Sequence, residues 1–422
     1  MAETVEAEAV VVGGGLVGSA TFWALARRGV RVVLVEQWEP GHQLGSSHGG
    51  SRIFRTATFE GPAYVGLASR SRELWQQLER ETGEPCLRLT GGLDIGAPDG
   101  PVVPGARAMA ETFDLPHELL DDPAELARRF PQHRFAPSDV ALWDQRAGVL
   151  FPEAAVRAAV RAGVAAGGQV WSSHRVERIH LEADRVVAEA GDARFVAPRG
   201  VVAAGAWTAR LLPWLDLPLE VHRAVMTWYE GPDMTPFAPE RFPVFVRDTE
   251  GLAGWGVPAV GGLGVKLGHD EDGLVQVLPD PYDNPPEVTW EETEPTRRLC
   301  AEGFPGLVPN PTKYQACMTT HSPDGDFVIG PVSTDPYLAV LTGFSGHGAK
   351  HAAAVGEAAA ELLLGIGPRM DLAALAPERL WSARPAGAQP AGGRPARERL
   401  TGGDQPGGDR PEGSSPTTPA GT

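Results

Sequence analysis

Between Val10 and Glu36 the chain carries three glycines whose spacing leaves little choice of local structure. Val10-Val11-Val12 is a short apolar run, and Gly13, Gly15 and Gly18 follow it in G-x-G-x-x-G spacing, with Leu16 and Val17 inside the motif. A helical stretch runs on to about Arg28. Gly29 then stops it as a glycine at a helix C-terminus does. Arg31 to Glu36 reads as a second buried strand. This is a βαβ unit of the kind that builds a parallel sheet. The first glycine permits a tight turn, the second lets the backbone approach a pyrophosphate, and the third lets the helix pack on the strand. Free N–H groups at the helix start favour an anion there. Glu36, closing the second strand, can accept hydrogen bonds from a ribose diol and would repel a 2′-phosphate. The motif alone does not separate FAD from NAD.

With 422 residues, the chain is long enough for two or three such units. A helix over Glu153–Ala166, a Gly167-Gly168 stop and a strand at Gln169-Val170-Trp171 form a second αβ stretch. Arg199 to Trp207 reads as another buried strand, running through Ala204 into a turn at Gly205. Tyr337 to Leu341 is strand-like and precedes Gly343-Phe344-Ser345-Gly346-His347-Gly348 and an Ala-rich helix to about Leu364. Nucleotide-fold segments thus appear at the beginning, middle and end. The expected class is α/β, with a discontinuous nucleotide domain over 1–90, 151–216 and 321–382. A second domain, on a mixed or antiparallel sheet, would comprise 91–150 and 217–320. The last 40 residues hold 9 Gly and 7 Pro, with Leu400 as their one large aliphatic side chain. They cannot bury enough surface to offset their ordering entropy, so 383–422 reads as a disordered tail.

Charge and cysteine usage exclude several function classes. Lys and Arg total 37 against 54 Asp and Glu, a formal charge of −17. That balance argues against nucleic acid or an anionic membrane as the main partner. Cys86, Cys300 and Cys317 are too few and too scattered for a disulfide framework or a zinc site, and no metal is expected. No apolar run is long enough to span a bilayer, and the first residues lack a basic segment of signal-peptide type. The expected compartment is the cytoplasm and the expected state a monomer.

Four further segments carry a resemblance. Gly45-Ser46-Ser47-His48-Gly49-Gly50-Ser51-Arg52-Ile53-Phe54-Arg55, Lys266-Leu267-Gly268-His269, Cys317-Met318-Thr319-Thr320-His321-Ser322-Pro323-Asp324 and Gly343-Phe344-Ser345-Gly346-His347-Gly348-Ala349-Lys350 stand in that order. Together with the glycine loop they resemble the monomeric sarcosine oxidase and N-methyl-amino-acid oxidase family, over nearly all of 10–365. The resemblance implies a GR2-type, Rossmann-like FAD-binding domain with a substrate domain. It implies an oxidase of a secondary, N-methyl or cyclic, amino acid. Hydride would leave the carbon next to nitrogen for the flavin, the product would be an imine, and O2 would be reduced to H2O2.

The site residues follow from the same resemblance. Cys317 would carry FAD covalently through its sulfur. Arg55 and Lys350 would clamp the substrate carboxylate, a task suited to a planar guanidinium. Arg52 would lie beside the flavin, with His48 in support. Lys266 would stabilise the anion formed when oxygen takes an electron. His269 would assist substrate binding, although the Lys–His spacing is one residue shorter than the family's. Ser46, Val176, Ala204, Gly205 and Trp207 complete the expected FAD contacts, with His347 packing in the flavin domain. Trp255 and Thr319 stand where sarcosine-specific members carry tyrosines, which predicts a wider pocket. Arg52 and Arg55, three apart, would share a face on a helix or tight turn. No paired-carboxylate motif accompanies these residues, and Arg55, Lys350 and Lys266 together would lower the bound amine's pKa. Two alternatives stay open: an FAD dehydrogenase or imino-acid oxidase of a secondary-metabolite pathway, and a non-catalytic nucleotide-binding protein.

Overall fold

The computed structural model describes residues 3–269, 276–334 and 337–382. The tail expected from residue 383 lies outside the described residues. Among the described residues, six strands form one sheet in the order Gln169–Trp171, Val32–Val35, Ala9–Val12, Arg199–Val202, Tyr337–Thr342, Val328–Thr334. All neighbours are parallel except the last pair, which is antiparallel. Three segments remote in sequence therefore meet in one sheet, each near-continuously apolar because both faces are covered.

The helix Leu16–Ala26 leaves the glycine loop. Every residue in it except Val17 is buried. It has no polar face, so it must be covered all round. Helices Pro152–Ala165 and Ala352–Leu363 provide that cover. A Cβ on Gly356 would stand 2.6 Å from the Thr21 nitrogen, which shows how closely the two helices approach. Arg27 and Arg28 cross this contact to Glu357 and Glu361. A smaller sheet, Glu3–Glu6, Ala193–Ala197, Arg185–Ala190 and Arg178–Glu182, lies beside the first.

A nine-stranded mixed sheet forms the other layer. Gly92–Gly96, His117–Leu120 and Val140–Asp144 join strands between Glu220–Tyr229 and Lys313–His321 within it. Among the described residues its one parallel pairing joins Gly92–Gly96 to Val244–Thr249. Val265–Gly268 sits between Glu220–Tyr229 and Leu252–Val257. Lys313–His321 pairs along nearly the whole of Glu220–Tyr229. A short sheet, Arg52–Phe54, Gly148–Leu150 and Leu87–Leu89, contacts the large sheet and the Gly348–His351 turn through Arg52–Phe54. Helix Glu294–Gly303 covers the large sheet, and the buried Arg247–Asp139 pair at 2.7 Å ties its strands to the 134–139 turn.

The tightest backbone approach is at the first glycine loop. Gly13 has φ +100°, a left-handed conformation few side chains tolerate, and a Cβ there would stand 2.5 Å from the Ala203 carbonyl oxygen. A Cβ on Gly18 would lie 1.8 Å from the Gly13 carbonyl oxygen. Gly18→Ala must therefore push helix from strand. Overpacking of this kind costs about 1–3 kcal/mol or more. Urea unfolding of the variant should show that loss, together with weaker retention of a bound dinucleotide through purification.

Candidate active site

A cleft of about 350 Å³ runs along the C-terminal ends of the parallel strands. Its lining includes Glu36, Gln37, Val176, Trp207 and Tyr282, and also Ser46, Arg52, Thr319, Gly346 and Gly348. Gly13, Gly15, Leu16 and Val17 line it too, with Ala204 and Gly205 from the neighbouring strand's end. The Leu16 N–H donates to Ser47 Oγ at 3.0 Å, so a hydroxyl oxygen stands where the helix start favours a phosphate oxygen. Glu36 is buried, and burial raises its pKa. Its carboxylate accepts from the N–H of Gly14 at 2.5 Å and of Trp38 at 3.0 Å. The buried indole Nε1 of Trp207 has no partner among the described residues. A cleft with a glycine cradle, a buried carboxylate and a donor without a partner among the described residues fits a dinucleotide.

The loop over 45–52 connects this cleft to the large sheet. Ser46 Oγ donates to the Met318 carbonyl at 2.6 Å. Arg52 donates to the Ser46 and Ser51 carbonyls and lies 3.6 Å from Cys317 Sγ. Cys317 is buried on the strand paired with Glu220–Tyr229. Lys266 is 1% exposed, because its strand is central and both neighbours cover it. Its Nζ donates to the Ser51 carbonyl at 2.8 Å and the Gly49 carbonyl at 3.1 Å. The rings of Trp228 and Trp255 lie 5.3 and 5.8 Å from the same nitrogen. Burial, reinforced by the Arg52 charge, lowers the Lys266 pKa well below the ordinary lysine value.

Arg55 and Lys350 form a second cluster. Arg55 donates to Asp94 Oδ1 at 2.6 Å and to Glu60 Oε1 at 3.3 Å. Lys350 pairs with the same Glu60 oxygen. Lys350 follows the cleft-lining Gly348 and Ala349, in the turn that opens helix Ala352–Leu363. Burial alone would raise the Glu60 carboxyl, but Lys350 and Arg55 hold it well below the usual carboxylate range. Asp94 is wholly buried, and burial pushes its carboxyl up to about 6 against the pull of Arg55. The second Glu60 oxygen and Arg55 Nε are buried without a partner among the described residues.

Comparison with known proteins matches this arrangement. Residues 8–362 fit the model of the FAD dependent oxidoreductase family, DAO. The chain belongs to that family. It is 36% identical to monomeric sarcosine oxidase of Streptomyces avermitilis over 362 residues, covering 85% of this chain and 93% of that one. It is 31% identical to N-methyl-L-tryptophan oxidase of Citrobacter koseri, covering 86% and 96%. Among solved structures, L-proline dehydrogenase from P. horikoshii superposes with a TM-score of 0.78 at 22% identity, covering 90% of this chain and 99% of that one. NikD, described as an unusual amino acid oxidase essential for nikkomycin biosynthesis, superposes at 0.77 and 23%, covering 88% and 97%. The fold of this oxidoreductase is thus the α/β arrangement read from its glycine loop.

Three expectations need correction. Arg52 and Arg55 do not share a face: Arg52–Phe54 is a strand, so successive side chains alternate, and the two guanidinium groups reach different clusters. Carboxylates do accompany the site, since Glu60 and Asp94 both touch Arg55. Lys266 does not join Arg55 and Lys350 in one group of cations. Its Nζ meets the Gly49 and Ser51 carbonyls, whereas Arg55 pairs with Glu60 and Asp94 and Lys350 pairs with Glu60.

The other candidates are placed as follows. His48 is buried with Nδ1 unpartnered among the described residues, and burial and the Arg52 charge take its pKa to about 3, so it is neutral at pH 7. His269 follows the Lys266 strand, and burial and the Arg298 charge lower its pKa. Thr319 Oγ1 lies 2.8 Å from His321 Nε2, and the His321 ring stacks on His222 at 4.0 Å. His347 packs between Tyr64 and Phe327, and its Nε2 meets the Gly325 carbonyl. Gly343 has φ +62° and, with Phe344 and the buried Phe327, sets the turn into the last helix. Beyond Glu60 and Asp94, sequence reading missed Ser47, Trp228, Glu153 and Tyr282. Glu60 was within reach, five residues past Arg55. Asp94 gave no signal, because a strand of the other sheet delivers it.

The Asp94 titration has a definite sign. Its folded pKa lies above the ordinary aspartate value, so the stability it contributes is present below about pH 4 and lost as pH rises through about 6. Urea unfolding of the flavin-loaded protein from pH 4.5 to 6.5 should show this fall. Asp94→Asn should flatten it; parallel profiles would assign the titration to another group.

Proposed function

We propose that this oxidoreductase oxidises the C–N bond of a secondary amino acid, N-methyl or cyclic, with O2 as electron acceptor. The observation that carries the reading is the buried pair Arg55 and Lys350, 4% exposed each, sharing the Glu60 carboxylate. Two cations buried at such cost are held by anions. A substrate carboxylate of the same charge and shape can replace Glu60 on them. The named relatives, a sarcosine oxidase and an N-methyl-L-tryptophan oxidase, act on amino acids that offer such a carboxylate.

Bound FAD would supply the two-electron chemistry, accepting hydride from the carbon next to nitrogen and passing the electrons to O2. Gly13, Gly15, Gly18 and Glu36 would hold its adenosine and pyrophosphate, and Cys317 would link its ring through a thioether. Arg52, hydrogen-bonded to Ser46 and Ser51 and beside Cys317, fits a place against that ring. Arg55 and Lys350 would orient the substrate. Hydride leaves only when the nitrogen lone pair is free, so the amine must bind unprotonated. The neutral imidazole of His48 adds no cation at pH 7. Lys266 would stabilise negative charge on oxygen as it is reduced. The stretches 91–150 and 217–320 would form the substrate domain.

Thr319 stands in the cleft wall where sarcosine-specific enzymes of the family carry a tyrosine, and Trp255 keeps one aromatic wall near Lys266. Apolar substrate area filling the vacated space would contribute roughly 25 cal/mol per Å². A panel of N-methyl and cyclic amino acids, read by peroxide with and without an artificial acceptor, tests the function. The kcat/KM of a larger substrate should exceed that of sarcosine by about tenfold, about 1.4 kcal/mol. No peroxide from any member would overturn the oxidase reading. Acid-precipitated protein should stay yellow, and Cys317→Ser should release its flavin on precipitation while binding it in the folded state. Flavin that survives denaturation of the variant would place the link elsewhere.

A further inference from the structure

The ammonium of Lys266 depends on a carboxylate that it does not touch. We infer that Glu153 is a positioning residue for Lys266, holding through the Gly49-Gly50-Ser51 loop the cation that serves oxygen reduction. The inference rests on the oxygen role proposed for Lys266.

Glu153 lies in the first turn of helix Pro152–Ala165, where an acid suits the helix dipole. That explains its place on the helix and not the direction of its oxygens. Oε1 accepts from the Gly49 N–H at 2.7 Å and the Gly50 N–H at 3.0 Å, and Oε2 lies 3.2 Å from the latter. Both glycines belong to another segment, and both have left-handed φ, +93° and +74°. The charge-assisted bonds hold two successive peptide units in a conformation most residues resist. On the far side of the same loop, the Gly49 and Ser51 carbonyls receive Lys266 Nζ. Two of the three ammonium donors are used there among the described residues. A carboxylate polarises a peptide whose own carbonyl binds the cation, and such chains reinforce each other at low dielectric.

The charges facing Lys266 make this dependence sharp. Arg52 and Lys313 oppose its protonation, and His48, also close, is neutral at pH 7. Glu153 is the carboxylate among these neighbours, and it favours the protonated amine.

Stopped-flow half-reactions of the flavin-loaded enzyme between pH 6 and 10 test the inference. Lys266→Met establishes the premise: reoxidation by O2 should slow by about 10²–10³-fold, with reduction by substrate little changed. If reoxidation is unaffected, the oxygen role of Lys266 falls and the inference with it. Glu153→Gln keeps the shape and an acceptor oxygen but loses the charge. It should slow reoxidation at least about tenfold at pH 8, move the pH at which reoxidation declines downward, and leave reduction within about twofold. In a Lys266→Arg background the same change should leave the pH profile in place, since a guanidinium stays charged. Equal slowing of both half-reactions by Glu153→Gln, or an unmoved reoxidation profile while Lys266→Met is slow, would overturn the inference and spare Lys266. If Glu153→Gln does not retain flavin, Glu153→Asp decides. It keeps the charge, so its reoxidation profile should match that of the unaltered enzyme, and a profile shifted downward would overturn the inference.

Discussion

Residues 45–60 are gripped from two sheets at once, and the arrangement of the site depends on that grip. The nucleotide sheet delivers the segment through the end of its second strand. The large sheet fastens it at the Met318 carbonyl, Cys317, Lys266 and Asp94. Helix Pro152–Ala165 adds Glu153, and the last helix adds Lys350 across Glu60. No single contact here would fix a loop rich in glycine, whose ordering entropy is high. Together they place two groups of charges at fixed positions around the cleft.

The two groups solve the problem of a buried cation differently. Arg55 and Lys350 are paired with the carboxylates Glu60 and Asp94, which neutralise them. Lys266 meets carbonyl oxygens and the faces of two tryptophans. Neutral acceptors hold the charge in place without cancelling it. A group meant to bind an anionic substrate suits the first arrangement, and one meant to act on charge that develops during reaction suits the second. Burial costs of this kind are seldom borne for stability alone.

Much of this was legible in the chain because its signals are local. The glycine loop, Glu36 and the apolar strand runs have spacings set by backbone geometry, so the sheet and the nucleotide cleft could be read from residues 10–36, 199–207 and 337–364. Lys266 and Cys317 stood out because of the motifs around them, and both are buried against the loop over 45–52. A three-residue spacing puts Arg52 and Arg55 on one face only in a helix or tight turn, and pairing with Gly148–Leu150 makes the segment a strand instead.

Asp94, Trp228 and Glu153 could not be read at all, since nothing adjacent to them in sequence marks their partners. Asp94 acts on Arg55 from a strand whose place is set by pairing with Val244–Thr249 and Val140–Asp144. Trp228 faces Lys266 only because Glu220–Tyr229 lies beside Val265–Gly268. Glu153 reaches Gly49 because its helix packs against Leu16–Ala26. The sequence by itself determined the βαβ unit and the class of cofactor cleft, and it named candidate side chains for the site, because these follow from short-range geometry and residue chemistry. Tertiary structure alone decided which anion answers which cation, because electrostatic partnership depends on distance in space and burial, and long-range strand pairing sets both.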